Sequence, residues 1–67
     1  MSESEVVFCE EYKGHSIEIT REPEEIGKKF YITVRAPDGC YCYDGYWGDF
    51  DNTVEDAVEE AKRGSMI

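Results

Sequence analysis

Asp38 to Glu60 reads D-G-C-Y-C-Y-D-G-Y-W-G-D-F-D-N-T-V-E-D-A-V-E-E, and this stretch decides the fold. It holds a short aromatic run, Cys40 to Tyr43, then the breaker Asp44-Gly45, a Gly-rich aromatic connection through Tyr46, Trp47 and Phe50, and a helix start at Thr53. Thr53 followed by Asp56 resembles a capping box, with Asp standing where a longer Glu or Gln is usual. Val54, Ala57, Val58 and Ala61 fall at i, i+3, i+4 and i+7 and make one apolar stripe. Lys62 and Arg63 complement the helix C-terminus, and Gly64 reads as its stop. So short a helix is marginal alone and must lie on a sheet.

Upstream, Ala36-Pro37-Asp38-Gly39 suits a type I turn. It follows the strongest strand, Phe30 to Arg35, in which Phe30, Ile32 and Val34 alternate with Tyr31, Thr33 and Arg35. The run 40–43 pairs back on it, with Cys40 and Cys42 expected on one face and Tyr41 and Tyr43 on the other. Residues 22–29, rich in Glu with one Pro and one Gly, read as a solvated connection. Residues 5–12 and 15–21 flank Lys13-Gly14 as a β-hairpin, with Ile17 and Ile19 on one face. A two-residue turn sets Phe8 opposite Ile19; a three-residue turn sets Val7 there. The expected architecture is α+β, a four-stranded antiparallel sheet with one C-terminal helix packed on one face, in the order ββββα.

The 67 residues make one domain, 1–67, with a small core. Sixteen acidic and seven basic residues give a formal net charge of −9. That excludes a basic nucleic-acid footprint and disfavours an anionic membrane, while favouring fast association with a basic protein surface. M-S-E-S-E carries no secretory signature, no run approaches a membrane span, and Cys9, Cys40 and Cys42 are an odd number, so a cytoplasmic chain with reduced thiols is expected.

No constellation supports a reaction. Three cysteines and His15 match a zinc site in number, but C-x-C is tighter than the usual knuckle, and the cysteines read better as buried small hydrophobes. Asp49, Asp51, Thr53 and Glu60 fit four positions of a calcium loop, yet Val54 stands where its sharp turn needs Gly. The carboxylates face the surface without a nucleophile or phosphate-cradling loop beside them. The reading is therefore non-enzymatic, with no cofactor and no metal. The tyrosines are more informative. One helix covers one sheet face, so some of the rings must be exposed, where Tyr and Trp serve as interface anchors. Trp47 and Phe50 are expected to plug the gap between helix and sheet.

Eight of the sixteen acids fall between residues 38 and 60. Glu55, Asp56, Glu59 and Glu60 lie opposite the apolar stripe as two like-charge i, i+4 pairs, each mildly destabilising. Asp44, Asp49 and Asp51 extend the field, with no Lys or Arg between residues 38 and 60. Carboxylates four apart on a helix sit roughly 6 Å from one another, comparable to neighbouring phosphates of a strand. Together with Tyr46, these acids form the expected partner-binding set, with all four helix acids pointing away from the stripe.

This profile, a very small, strongly acidic domain without enzyme motifs and with the helix T-V-E-D-A-V-E-E, resembles the anti-CRISPR proteins of phages and other mobile elements. Several of these act as DNA mimics. The resemblance covers the whole-chain profile and carries over no residue correspondence. It implies binding to a basic DNA-reading surface of a CRISPR effector, where the protospacer-adjacent motif is read, with no direct contact to nucleic acid. The alternative is a protein–protein interaction module or homodimer joined through Tyr31, Tyr41 and Tyr43 on the uncovered sheet face.

Overall fold

The first hairpin sets the register for the sheet. In the computed structural model, which describes residues 4–67, β1 (Glu5–Tyr12) pairs antiparallel with β2 (His15–Arg21). Lys13 and Gly14 take φ of 51° and 81°, as a two-residue type I′ turn requires. Phe8 therefore faces Ile19, the first of the two registers. A bulge between Val6 and Phe8 leaves Val7 without a partner, and both Val7 and Phe8 pack against the core. The extra residue relaxes the either-or that strict alternation would impose.

β3 (Phe30–Arg35) pairs with β2, and β4 (Tyr41–Trp47) pairs with β3, so the sheet order is β1-β2-β3-β4. The connection before β3 holds a 3-10 turn over Glu24–Ile26. Between β3 and β4, Gly39 N–H donates to the Ala36 carbonyl at 2.9 Å, closing the expected turn. Two expectations fail on β4. Asp44-Gly45 does not break the strand, because Ile32, Tyr31 and Phe30 take Gly45, Tyr46 and Trp47 as partners. Tyr41 and Tyr43 do not share a face: Tyr41 faces Arg35 and Tyr43 faces Val34, so Cys42 sits in a bulge and the two rings part.

α1 (Val54–Ser65) follows, with the capping box formed as expected: Thr53 accepts from Asp56 N–H, and the Asp56 carboxylate accepts from Thr53 N–H. The helix does not stop at Gly64. It runs on to Ser65 and ends at Met66, whose φ is 61°. Gly64 has another role, because a Cβ there would lie 2.5 Å from the Tyr43 ring.

Ile17, Ile19, Phe30, Ile32, Val34, Ala57 and Ala61 are fully buried between sheet and helix. Each of the five larger side chains contributes about 1.5–3 kcal/mol of burial. The two alanines let the helix sit close to the strands. Trp47 packs against this core, but Phe50 does not and is half exposed. All three cysteines are exposed, contrary to expectation. Cys9 lies on the uncovered sheet face, Cys40 ends a turn, and Cys42 occupies the bulge, positions that pleat and turn geometry keep out of the core. No helix among the described residues is long and apolar enough to cross a membrane.

Candidate functional site

Cross-strand pairing sorts the sheet's side chains into rows. The helix side carries Phe8-Ile19-Ile32-Gly45 and Glu10-Ile17-Val34-Tyr43; the open side carries Cys9-Glu18-Thr33-Asp44 and Val6-Thr20-Tyr31-Tyr46. The sheet therefore separates Asp44 and Tyr46 from the helix acids. On the open face the Tyr31 hydroxyl donates to Asp44, which raises the Tyr31 pKa, and the Tyr31 and Tyr46 rings meet edge to face at 4.8 Å. Arg35 lies 5.9 Å from the centre of the Tyr41 ring. Tyr41 and Tyr46 are 61% and 52% exposed, as rings beyond the reach of the single helix should be. Tyr43 is not among them, since the Cys42 bulge turns it to the helix side.

That turn changes the helix acids. The Tyr43 hydroxyl donates to Glu60 Oε2 at 3.0 Å, and Arg63 Nη2 donates to Glu60 Oε1 at 2.6 Å. Arg63 holds the Glu60 carboxyl below its ordinary range, with Tyr43 assisting. Burial first, then the bond to Glu60, pushes the Tyr43 phenol up to about 12. Asp56 is also engaged, accepting from Thr53 N–H at 3.0 Å and from Asn52 Nδ2 at 3.3 Å. The Thr53 N–H is the main cause of its lowered pKa, with Asn52 next. The four helix acids thus do not form one free row. Asp56 caps the helix and Glu60 joins it to the sheet.

Glu55 and Glu59 remain. No hydrogen bond or ion pair holds either one among the described residues; Glu59 acts on Arg63 only through space. With Phe8, Val54 and Val58 they line a shallow groove of about 360 Å³ between α1 and edge strand β1. Phe8 and the two valines are half-buried there, so the groove has an apolar floor and an acidic rim.

Asp49 and Asp51 sit in the exposed β4–α1 connection. Asn52 Oδ1 accepts from Asp49 N–H at 2.7 Å and shapes this loop. The connection is not without a base. Lys29 reaches it from before β3 and donates to the Asn52 carbonyl at 2.6 Å and the Phe50 carbonyl at 3.4 Å. Lys29 binds carbonyls, however, and leaves the Asp49 and Asp51 carboxylates unpaired.

The other bases behave similarly. Lys13 and Lys62 lie over the Tyr12 ring, at 5.4 and 4.1 Å from its centre, and Lys29 lies 5.3 Å from that of Phe30. Ion pairs among the described residues number two, Arg21–Glu5 at 2.5 Å and Arg63–Glu60 at 2.6 Å. This use of cations over rings is the functional feature that sequence reasoning missed: Lys13 and Tyr12, and Lys29 and Phe30, stand adjacent in the sequence as a signal, whereas Lys62 reaches Tyr12 only through the tertiary fold.

No group of three or more His, Cys, Asp or Glu among the described residues is placed to hold a metal ion. Asp38 raises the Cys40 thiol pKa, the wrong direction for a nucleophile or a thiolate ligand. No family model, curated protein or solved structure matches the chain, so the acidic groove and the open tyrosine face are read on their own geometry.

Proposed function

We propose that the chain is a non-enzymatic, cytoplasmic inhibitor that occupies a basic DNA-holding protein surface, of the kind a CRISPR effector presents, in place of DNA phosphates. The observation that carries this is the disposition of the bases. Four of the seven lie over aromatic rings and only two form an ion pair among the described residues, so most carboxylates lack a paired cation and an excess of nine negative charges remains. A net charge of −9 along a longest dimension of 35 Å is roughly one charge per 4 Å, near the one per about 3.4 Å of a nucleic acid strand. Of the acids expected to bind the partner, Glu55, Glu59, Asp49 and Asp51 are free to meet Lys and Arg; Asp56 and Glu60 act through the fold, and Asp44 accepts from Tyr31 on the open face.

The test is competition. A guide-loaded effector is titrated with labelled target DNA in the presence of the chain, and DNA is expected to be displaced while guide loading stays intact. Charge reversal is confined to Glu55→Lys with Glu59→Lys, because reversing Asp56 and Glu60 as well would remove the cap and the Tyr43 bond. The double variant should fold and lose inhibition. Inhibition at the parental level would remove the helix flank from the active surface. A second reading has its own observation: on the open face Tyr46 is exposed against Tyr31, and Tyr41 is exposed further along, against Arg35. It makes the chain an interaction module or homodimer, and predicts binding that added salt barely affects.

A further inference from the structure

We infer that the groove between α1 and β1 seats a basic amphipathic helix of a partner protein, which completes the helical layer of this fold. The inference rests on the reading of the chain as a binder of basic surfaces and names the element it takes. Strands about 4.8 Å apart make a four-stranded sheet roughly 19 Å wide, while a helix is about 10 Å across. One helix therefore covers about half the sheet. α1 lies mainly over β3 and β4 and touches β1 least, so the uncovered part of the layer is the strip above the edge strand.

The side chains along that strip are unusual for a bare flank. α1 points its small residues, Ala57 and Ala61, into the core and leaves the larger Val54 and Val58 half-buried at its side. Phe8 rises from β1 to meet them. A second helix packed 8–10 Å from α1, an ordinary interaxial distance, would lie over this apolar floor. Its charge is set by the rim. Glu55 and Glu59 stand one helical turn apart on α1, and Glu10 lies on the helix side of β1, in line with Phe8 and exposed. No base lines the groove; Lys62 and Lys13, over the Tyr12 ring, stand beyond its end where α1 meets the last residue of β1. The complementary occupant carries two apolar anchors at i and i+4, with Lys or Arg alongside, four apart. A second copy of this chain is a poor occupant, because its own helix would bring Glu55 and Glu59 against the same residues.

The probe is a synthetic 18-residue helical peptide with a leucine stripe flanked by lysines. Two controls accompany it: the same stripe flanked by glutamates, and the lysine-rich peptide with central prolines. Binding is read by fluorescence anisotropy and mapped by amide chemical shifts on the isolated full chain. The Leu/Lys peptide should bind, shift residues around Phe8 and 54–59, and lose at least tenfold affinity on Glu55→Lys with Glu59→Lys. Both substitutions are at exposed positions, and circular dichroism checks their fold. The inference is overturned by equal binding of either control, by shifts confined to the open tyrosine face, by affinity unchanged in the double variant, or by self-association through the groove. Because no effector or DNA is present, the peptide result stands apart from the competition assay. Docking without inhibition would keep the groove and discard the DNA-mimic reading.

Discussion

Gly64 and Tyr43 occupy space that neither could share with a larger neighbour. Within a helix, Gly costs about 1 kcal/mol relative to Ala, so Gly64→Ala would ordinarily stabilise. Here the new Cβ would meet ring carbons at 2.5 and 2.7 Å, and the ring is tethered by its bond to Glu60. Gly64→Ala is therefore expected to destabilise by about 1–3 kcal/mol, the usual cost of overpacking. Urea unfolding measures it, and a stabilised variant would show that Tyr43 moves aside freely. The glycine was visible in the sequence, but its reason was not. It reads as a helix stop because Lys62 and Arg63 precede it, whereas the contact that requires it comes from a strand 21 residues earlier in the chain.

At the scale of elements, the bond between β4 and α1 carries a pH dependence with two limbs. The folded pKa values of Glu60 and Asp56 lie below their ordinary 4.5 and 3.8, so their contribution is present above those values and is lost as pH falls through the lower folded ones. The Tyr43 pKa rises from 10.0 to about 12, so its contribution is present below pH 10 and is lost as pH climbs toward 12. Tyr43→Phe should flatten the alkaline limb, weaken the acid limb, and cost about 1 kcal/mol near neutrality for the missing hydrogen bond. Melting temperatures across pH 2–12 test this; an unchanged alkaline limb would place that titration elsewhere. The elements themselves were largely legible. Alternation named Ile17, Ile19, Phe30, Ile32 and Val34, and the capping box located the helix start. The bulges at Val7 and Cys42 were not legible, because a bulge is fixed by what the neighbouring strand must pair with. The second of them sends Tyr43 to the helix, and through it withdraws Glu60 from the acidic row.

At the scale of the whole molecule, the two consequences of charge run in opposite directions with salt. Unneutralised carboxylates repel one another in the compact chain, so screening should raise its melting temperature. The same screening should weaken a complex with a basic partner. Melts and binding isotherms between 20 and 500 mM NaCl are expected to diverge in this way, about a few-fold or more in affinity. Joint insensitivity would mean that the field is local and without effect at a distance. Composition gave the sign of this field, but its shape depended on bases settling over Tyr12, Phe30 and Tyr41; of these contacts only Lys62 over Tyr12 spans the chain. The meander has one further consequence, for the order in which the chain assembles. Every strand pairs with its neighbour in sequence, so no long loop must close before the strands pair, and the long-range closure left to the chain is the docking of α1 back on the sheet. During synthesis each hairpin can zip as it leaves the ribosome, and the helix that forms one wall of the groove arrives last, onto a finished sheet.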